Sequence, residues 1–188
     1  MKKNKNNSKS KTKNKELNWI ITITLSAFFI SMLFNLGAQS VLENVNIFVG
    51  VLIIILIILV GVVFDIIGVA VQSSDTVPFH SMASKKVKTA KTAKKMLKNS
   101  AKVSTFCNDV IGDVCGIISG SAVIVVSSSI ALKLGVDSTI PNLLITSVVA
   151  ALTIGGKAIG KGIAVNKSEY IITKTTKVLQ YFNKDRGE

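Results

Sequence analysis

Residues 47–71 read IFVGVLIIILIILVGVVFDIIGVAV, an apolar run interrupted by one charge, Asp65. Within it, positions 53–60 contain nothing but Ile, Leu and Val. About 20 apolar residues of helix cross a bilayer core, so this stretch predicts a membrane span. Stretches 19–36, 103–134 and 140–163 meet or approach the same length. The one at 103–134 is the most polar, because Asn108, Asp109 and Asp113 fall near its start. An all-α integral membrane protein with four transmembrane helices follows.

The 188 residues combine a mean hydropathy of +0.51 with a net charge of +13. Properties so opposed must be segregated along the chain. Seven lysines precede Trp19, eight lie between Lys85 and Lys102, and six plus Arg186 fall from Lys157 onward; Lys133 alone lies in another connection. Positive charge stays on the cytoplasmic side, so 22 of the 23 basic residues agree with both termini inside. The expected location is the bacterial cytoplasmic (inner) membrane.

Residues 1–18 form a basic tail, expected to be disordered because Lys, Asn, Ser and Thr cannot bury a core. Such a tail reads as a topology signal that touches anionic lipid headgroups rather than as a nucleic-acid ligand. Tail and first span together resemble a secretory signal. The apolar run 19–36 exceeds the usual 7–15-residue signal core, which favours a retained signal anchor. Leu36-Gly37-Ala38 is a poor cleavage site, and cutting there would leave three spans with the N-terminus outside.

Between the second and third spans, residues 79–102 carry Val87, Ala90, Ala93, Leu97 and Ala101 at helical spacing among lysines. The pattern predicts an amphipathic interfacial helix, with its apolar stripe on the acyl boundary. Residues 164–188 repeat the device through Ile171, Ile172, Thr175, Val178, Leu179 and Phe182. Gly112, Gly116 and Gly120 share one face of the third span and predict a close helix crossing. Gly155, Gly156, Gly160 and Gly162 predict a broken or kinked fourth span, whose freed carbonyls could serve as ligands.

A charge at membrane depth costs about 2.5–3.5 kcal/mol on insertion scales, so the acids need an explanation. Asp65 lies about 9 Å and Asp113 roughly 12 Å inside the cytoplasmic boundary at 1.5 Å per residue. Asp75 and Asp109 are shallower, and two readings stay open for them: cation ligands, or headgroup-level residues paired with lysines. Carboxylate, amide, hydroxyl and carbonyl oxygens suit a hard cation such as Mg²⁺. Cys107 and Cys115 form no CxxC or Cys/His cluster and read as packing residues.

Read in order, residues 64–182 resemble the transmembrane domain of the CNNM/CorB family of magnesium transport-associated proteins, over about two-thirds of the chain. Ser73-Ser74-Asp75 and Ala83-Ser84-Lys85-Lys86 stand where the family has its Ser-rich acidic turn and Ser/Arg-rich segment. Asn99-Ser100-Ala101-Lys102 resembles its Asn-x-x-basic turn, and Asn108-Asp109-Val110-Ile111-Gly112 its Asn-Asn-x-x-Asn signature. Gly156-Lys157-Ala158-Ile159-Gly160-Lys161 resembles its Gly-Glu-x-x-Pro-Lys end. The resemblance implies a homodimer holding dehydrated Mg²⁺ through Ser73, Ser74, Asn108 and the Gly156 carbonyl, with Asp65, Asp109 and Asp113 added. Lys157 stands where the family has Glu, Gly160 where it has Pro, and Gly112 where it has another Asn. The family's nucleotide-binding CBS pair has no counterpart in this sequence, which makes a separate cytoplasmic regulatory subunit an expected partner.

Two functions therefore stand side by side. One is a divalent-cation transporter or its membrane subunit. The other is a non-transporting regulatory or assembly module in which Lys157 is an internal counter-ion replacing the cation. No Ser/His/Asp set, phosphate loop or metal-hydrolase motif points to an enzyme, and His80 is isolated after Pro78. No cofactor other than Mg²⁺ is implied.

Overall fold

The computed structural model describes residues 2–42 and 45–184, with side chains from Glu16 to Tyr181 except Gln39 and Lys88. Every regular element among the described residues is helical: α1 (Lys2–Leu42), α2 (Ile47–Ser73), α3 (Val77–Ser84), α4 (Lys88–Lys98), α5 (Ser100–Thr105), α6 (Asp113–Leu134), α7 (Thr139–Asn166) and α8 (Ser168–Lys184). A π-helical turn, Phe106–Gly112, joins α5 to α6 without a break. Four helices are long and apolar enough to cross a membrane: Glu16–Leu42, Ile47–Ser73, Ser100–Leu134 and Thr139–Asn166.

The α1 backbone is helical from Lys2, where the sequence led us to expect disorder. Once the apolar half has nucleated the helix, each added residue gains one backbone bond, and lysine is a fair helix former. Asn46 caps the start of α2, its side chain accepting the Phe48 amide at 3.4 Å.

α2 is the axis of the bundle. One of its faces meets the α5–α6 helix and another meets α7. Gly156 and Gly160 of α7 lie on Val62 and Ile66 of α2, where an added Cβ would come within 3.3 Å and 2.8 Å of their side chains. Small residues four apart let two membrane helices approach closely, and this pair is the crossing that α7 uses. Gly116 and Gly120, expected to make such a crossing, have nothing within 4 Å. Their face lines a groove against α7 with Thr146, Ala150 and Thr153. Of that glycine series, Gly112 alone abuts another helix, at Asp65.

α7 is one continuous helix from Thr139 to Asn166, without the break that its glycines led us to expect from the sequence. Close seating of Gly156 and Gly160 on α2 accounts for those glycines without a break. Its Gly156 carbonyl therefore faces the ladder of an uninterrupted helix. The irregular backbone lies on the third span instead, at the π turn.

The segment expected as one interfacial helix is three. α3 ends at Ser84, α4 runs from Lys88 to Lys98, and Asn99 separates α4 from α5. The α4 stripe is not free to meet lipid. Ala93, Met96 and Leu97 are buried in one cluster with Ala70 and Val71 of α2, Phe79 of α3, Ala164 of α7 and Ile172 of α8. The two amphipathic helices cover each other, while Val87 at 40% exposure lies outside the stripe. Val178 and Leu179 of α8 stay exposed, and Phe182 lies beyond the described side chains. A second cluster joins Leu42 of α1, Ile54 of α2 and Ala122, Val123 and Val126 of α6.

Gly135, at φ 66°, closes α6 in the left-handed conformation. After it, the Asp137 carboxylate accepts the Thr139 amide at 3.0 Å and the Thr139 hydroxyl at 3.1 Å. The amide bond first, and then the hydroxyl bond, hold the Asp137 pKa below its ordinary value. A depressed folded pKa means this contribution to stability is present above the ordinary carboxylate range and lost as pH falls through the folded value. The protection factor of the Thr139 amide, its exchange relative to an unstructured peptide at the same pH, should accordingly fall as the Asp137 carboxylate is protonated, and Asp137→Ala should abolish that fall.

Candidate functional site

The site grows from the spacing of α2. Gly61, Asp65, Gly68 and Gln72 recur at four, three and four residues, which sets them along one helical face. The α5–α6 helix packs on that face, and the glycines decide how close it comes. A Cβ on Gly68 would collide with the Asn108 Oδ1, and one on Gly112 with the Asp65 Oδ1. A Cβ on Gly61 would sit 3.0 Å from the Cys115 Cβ. Two notches therefore interlock: Asn108 fills the one at Gly68, and Asp65 fills the one at Gly112.

Lys157 arrives from the third direction. Because Gly156 and Gly160 bring α7 onto Val62 and Ile66, the intervening lysine reaches the carboxylates. Its Nζ stands 3.0 Å from Asp65 Oδ2 and 3.3 Å from Asp113 Oδ1. The Asp65 side chain is 5% exposed, that of Lys157 21% and that of Asp113 67%. Asp65 is thus the carboxylate that depends on the lysine, since a buried charge without a partner is strongly unfavourable. Asp113 shares the ammonium but keeps most of its surface open. Asp113→Asn should therefore cost less than removing Lys157, because the ammonium keeps Asp65 as its partner. Its unfolding midpoint in detergent micelles checks this, and a loss as large as that from removing Lys157 would contradict it.

Above the triad runs a polar ladder. The Ser104 hydroxyl donates to Gln72 Oε1 at 3.2 Å and accepts from Asn108 Nδ2 at 3.2 Å. Asn108 Oδ1 is buried and has no hydrogen-bond partner. Asn108 belongs to the π turn, and such turns inside α-helices recur at functional sites because they release backbone and re-aim side chains.

The remaining candidates stand elsewhere. Asp75 is exposed and its carboxylate accepts the Val77 amide at 3.2 Å, which makes it a local cap for α3. Ser73 donates to the Val69 carbonyl at 2.8 Å, and Ser74 to the Asp75 carbonyl at 3.4 Å. Asp109 is exposed on the π turn, and Gly156 is half-buried on Val62. Asp65, Asp113 and Lys157 are thus brought together, with Asn108 one notch away, while Ser73, Ser74, Asp75 and Asp109 are not part of the group. Among the described residues, no three His, Cys, Asp or Glu side chains converge to hold a metal ion.

No family model, curated protein or solved structure matches the chain. Function must therefore be argued from the triad and the ladder. Gln72 and Ser104 were not anticipated from the sequence. The signal was present in the seven-residue step from Asp65 to Gln72 and the four-residue step from Ser104 to Asn108, each of which keeps one face.

Proposed function

We propose that the chain is a multi-pass membrane module, with both termini cytoplasmic, whose carboxylate site is closed by its own lysine. On this reading it serves in regulation or assembly and does not carry an ion. One observation carries the reading: the Lys157 ammonium stands between the two deep carboxylates, within 3.3 Å of both. The primary amine supplies there the positive charge that a bound cation would supply. In the resemblance to the CNNM/CorB domain, Lys157 stands where the family has Glu, so this chain places a positive charge where that pattern places an acid.

The test is thermal unfolding of the purified protein in detergent with and without millimolar Mg²⁺. The wild type should show no specific shift beyond that produced by an equal ionic strength of NaCl. A large, saturable shift would overturn the reading.

A second reading, Mg²⁺ transport of the CNNM/CorB type, is favoured by the buried Asn108 Oδ1, a hard oxygen with no hydrogen-bond partner. It requires that expression rescue a magnesium-auxotrophic bacterium and that Asp113→Asn reduce the rescue. Equal growth with wild type and variant, or no growth with either, removes it.

A further inference from the structure

The link between α3 and α4 is built at a conformational cost. Lys86 has φ 57°, the one positive φ at a non-glycine position among the described residues. Its amide donates to the Ala83 carbonyl at 3.0 Å, and the Val87 amide donates to the Met82 carbonyl at 3.1 Å. Those two bonds are the Schellman closure of a helix, and Lys86 occupies the left-handed position where glycine is usual. A Cβ is unfavourable there, so glycine would suit the backbone better than lysine. Backbone strain of this kind tends to persist where the side chain has a use.

The side chain borders an open cleft of about 530 Å³ lined by Ala83, Lys86, Val87, Ala90, Lys91 and Lys94. Its floor is apolar and its rim holds three ammonium groups. No Asp or Glu occurs between Thr76 and Asn108, and both described ion pairs are made by Lys157 rather than by these lysines. A cationic rim over an apolar floor complements a phosphate attached to a glyceride, because the phosphate takes the lysines and the glycerol end takes Ala83 and Val87. Further along the same segment, Lys102 stands 4.8 Å above the Trp19 ring, and Trp19 lies at the start of the first apolar stretch. Tryptophan is enriched at the headgroup level, which places this end of the α3–α5 segment beside a lipid surface rather than deep in solvent.

We infer that the α3–α4 cleft binds the headgroup of an anionic phospholipid through Lys86, Lys91 and Lys94. The inference goes beyond the lysine-closed site and does not depend on it.

The experiment purifies the full chain from mixed phosphatidylglycerol and phosphatidylcholine micelles and measures the ratio of the two lipids retained. Wild type should enrich phosphatidylglycerol. Lys86→Gln/Lys91→Gln/Lys94→Gln should lower the enrichment by about fivefold for each lysine removed. Lys174→Gln/Lys177→Gln on α8 should leave it near the wild-type value. Lys86→Gly separates a binding role from a structural one, because it should lower the enrichment while the unfolding midpoint stays equal or rises. The inference is overturned if the triple variant retains as much phosphatidylglycerol as wild type, or if both lysine sets lower it equally. It is also overturned if wild type shows no lipid preference yet binds inorganic phosphate or a soluble acidic peptide at this cleft.

Discussion

Replacing Lys157 by methionine is expected to cost about 3–5 kcal/mol of stability, the usual range for removing one partner of a buried ion pair. Methionine keeps an unbranched apolar stem, so the loss reports the charge more than the packing. Asp65 explains the size of the effect. Its side chain is 5% exposed, it is enclosed by Gly112 on one side, and its ion-pair partner among the described residues is Lys157. The double variant Asp65→Asn/Lys157→Met should recover most of the loss, because it removes both charges at once. Unfolding midpoints of wild type, both single variants and the double variant complete the cycle. If Lys157→Met is as stable as wild type, the ammonium does not stabilise the buried Asp65 side chain. Lys157→Met should also acquire the Mg²⁺-dependent thermal shift that wild type lacks, since Asp65 on α2 and Asp113 on α6 are then left without the ammonium they share. Failure to acquire it would leave Lys157 as a structural counter-ion and would count against any relation to a cation site.

The second large effect concerns packing, and it divides glycines that look alike in the sequence. Gly68→Ala places a methyl where Asn108 Oδ1 now lies, and Gly160→Ala places one 2.8 Å from the Ile66 Cγ1. Each overpacks a close helix contact and should cost about 1–3 kcal/mol. Gly68→Ala has an added consequence, because displacing Asn108 breaks its bond to Ser104. Gly116→Ala and Gly120→Ala meet nothing within 4 Å and should change stability little, or raise it slightly through better helix propensity. The unfolding midpoints of the four variants in one detergent form the comparison. Equal losses at all four positions would mean that the glycines act through the bilayer or a partner rather than through these contacts.

The triad and the glycine notches both depend on α2. Its position between the α5–α6 helix and α7 lets one carboxylate at Asp65 meet a lysine that is 92 positions later in the chain. The route is mechanical. Gly156 and Gly160 set the distance of α7, Gly61 and Gly68 set that of the third span, and the ion pair forms where those two contacts coincide. A substitution in either set of glycines is therefore expected to reach the charge site as well as the packing.

Membrane character was legible from the sequence because it is a sum over local composition. Four stretches of about 20 apolar residues and an alternating lysine pattern need no knowledge of contacts. The placement of Asp65 on an apolar helix was legible for the same reason, and so was the unusual chemistry of Lys157, a lysine on an apolar helix. Tertiary structure decided what periodicity leaves open. Spacing put Gly112, Gly116 and Gly120 on one face but did not say which helix they would meet, and only Gly112 meets one closely. Helical periodicity marked α4 and α8 as amphipathic without distinguishing a lipid surface from another helix; Ala93, Met96 and Leu97 of α4 and Ile172 of α8 are buried together with Phe79, while Val178 and Leu179 stay exposed. Ser73, Ser74 and Asp109 looked like further ligands in the sequence, yet the two serines bond to the backbone carbonyls of Val69 and Asp75 and Asp109 is exposed. Residues 47–71 by themselves determined that the chain carries an acid into a membrane-spanning helix. That the acid is met by Lys157 was decided by two glycine-mediated helix crossings, because an ion pair between distant residues depends on separations of a few ångströms that no local pattern records.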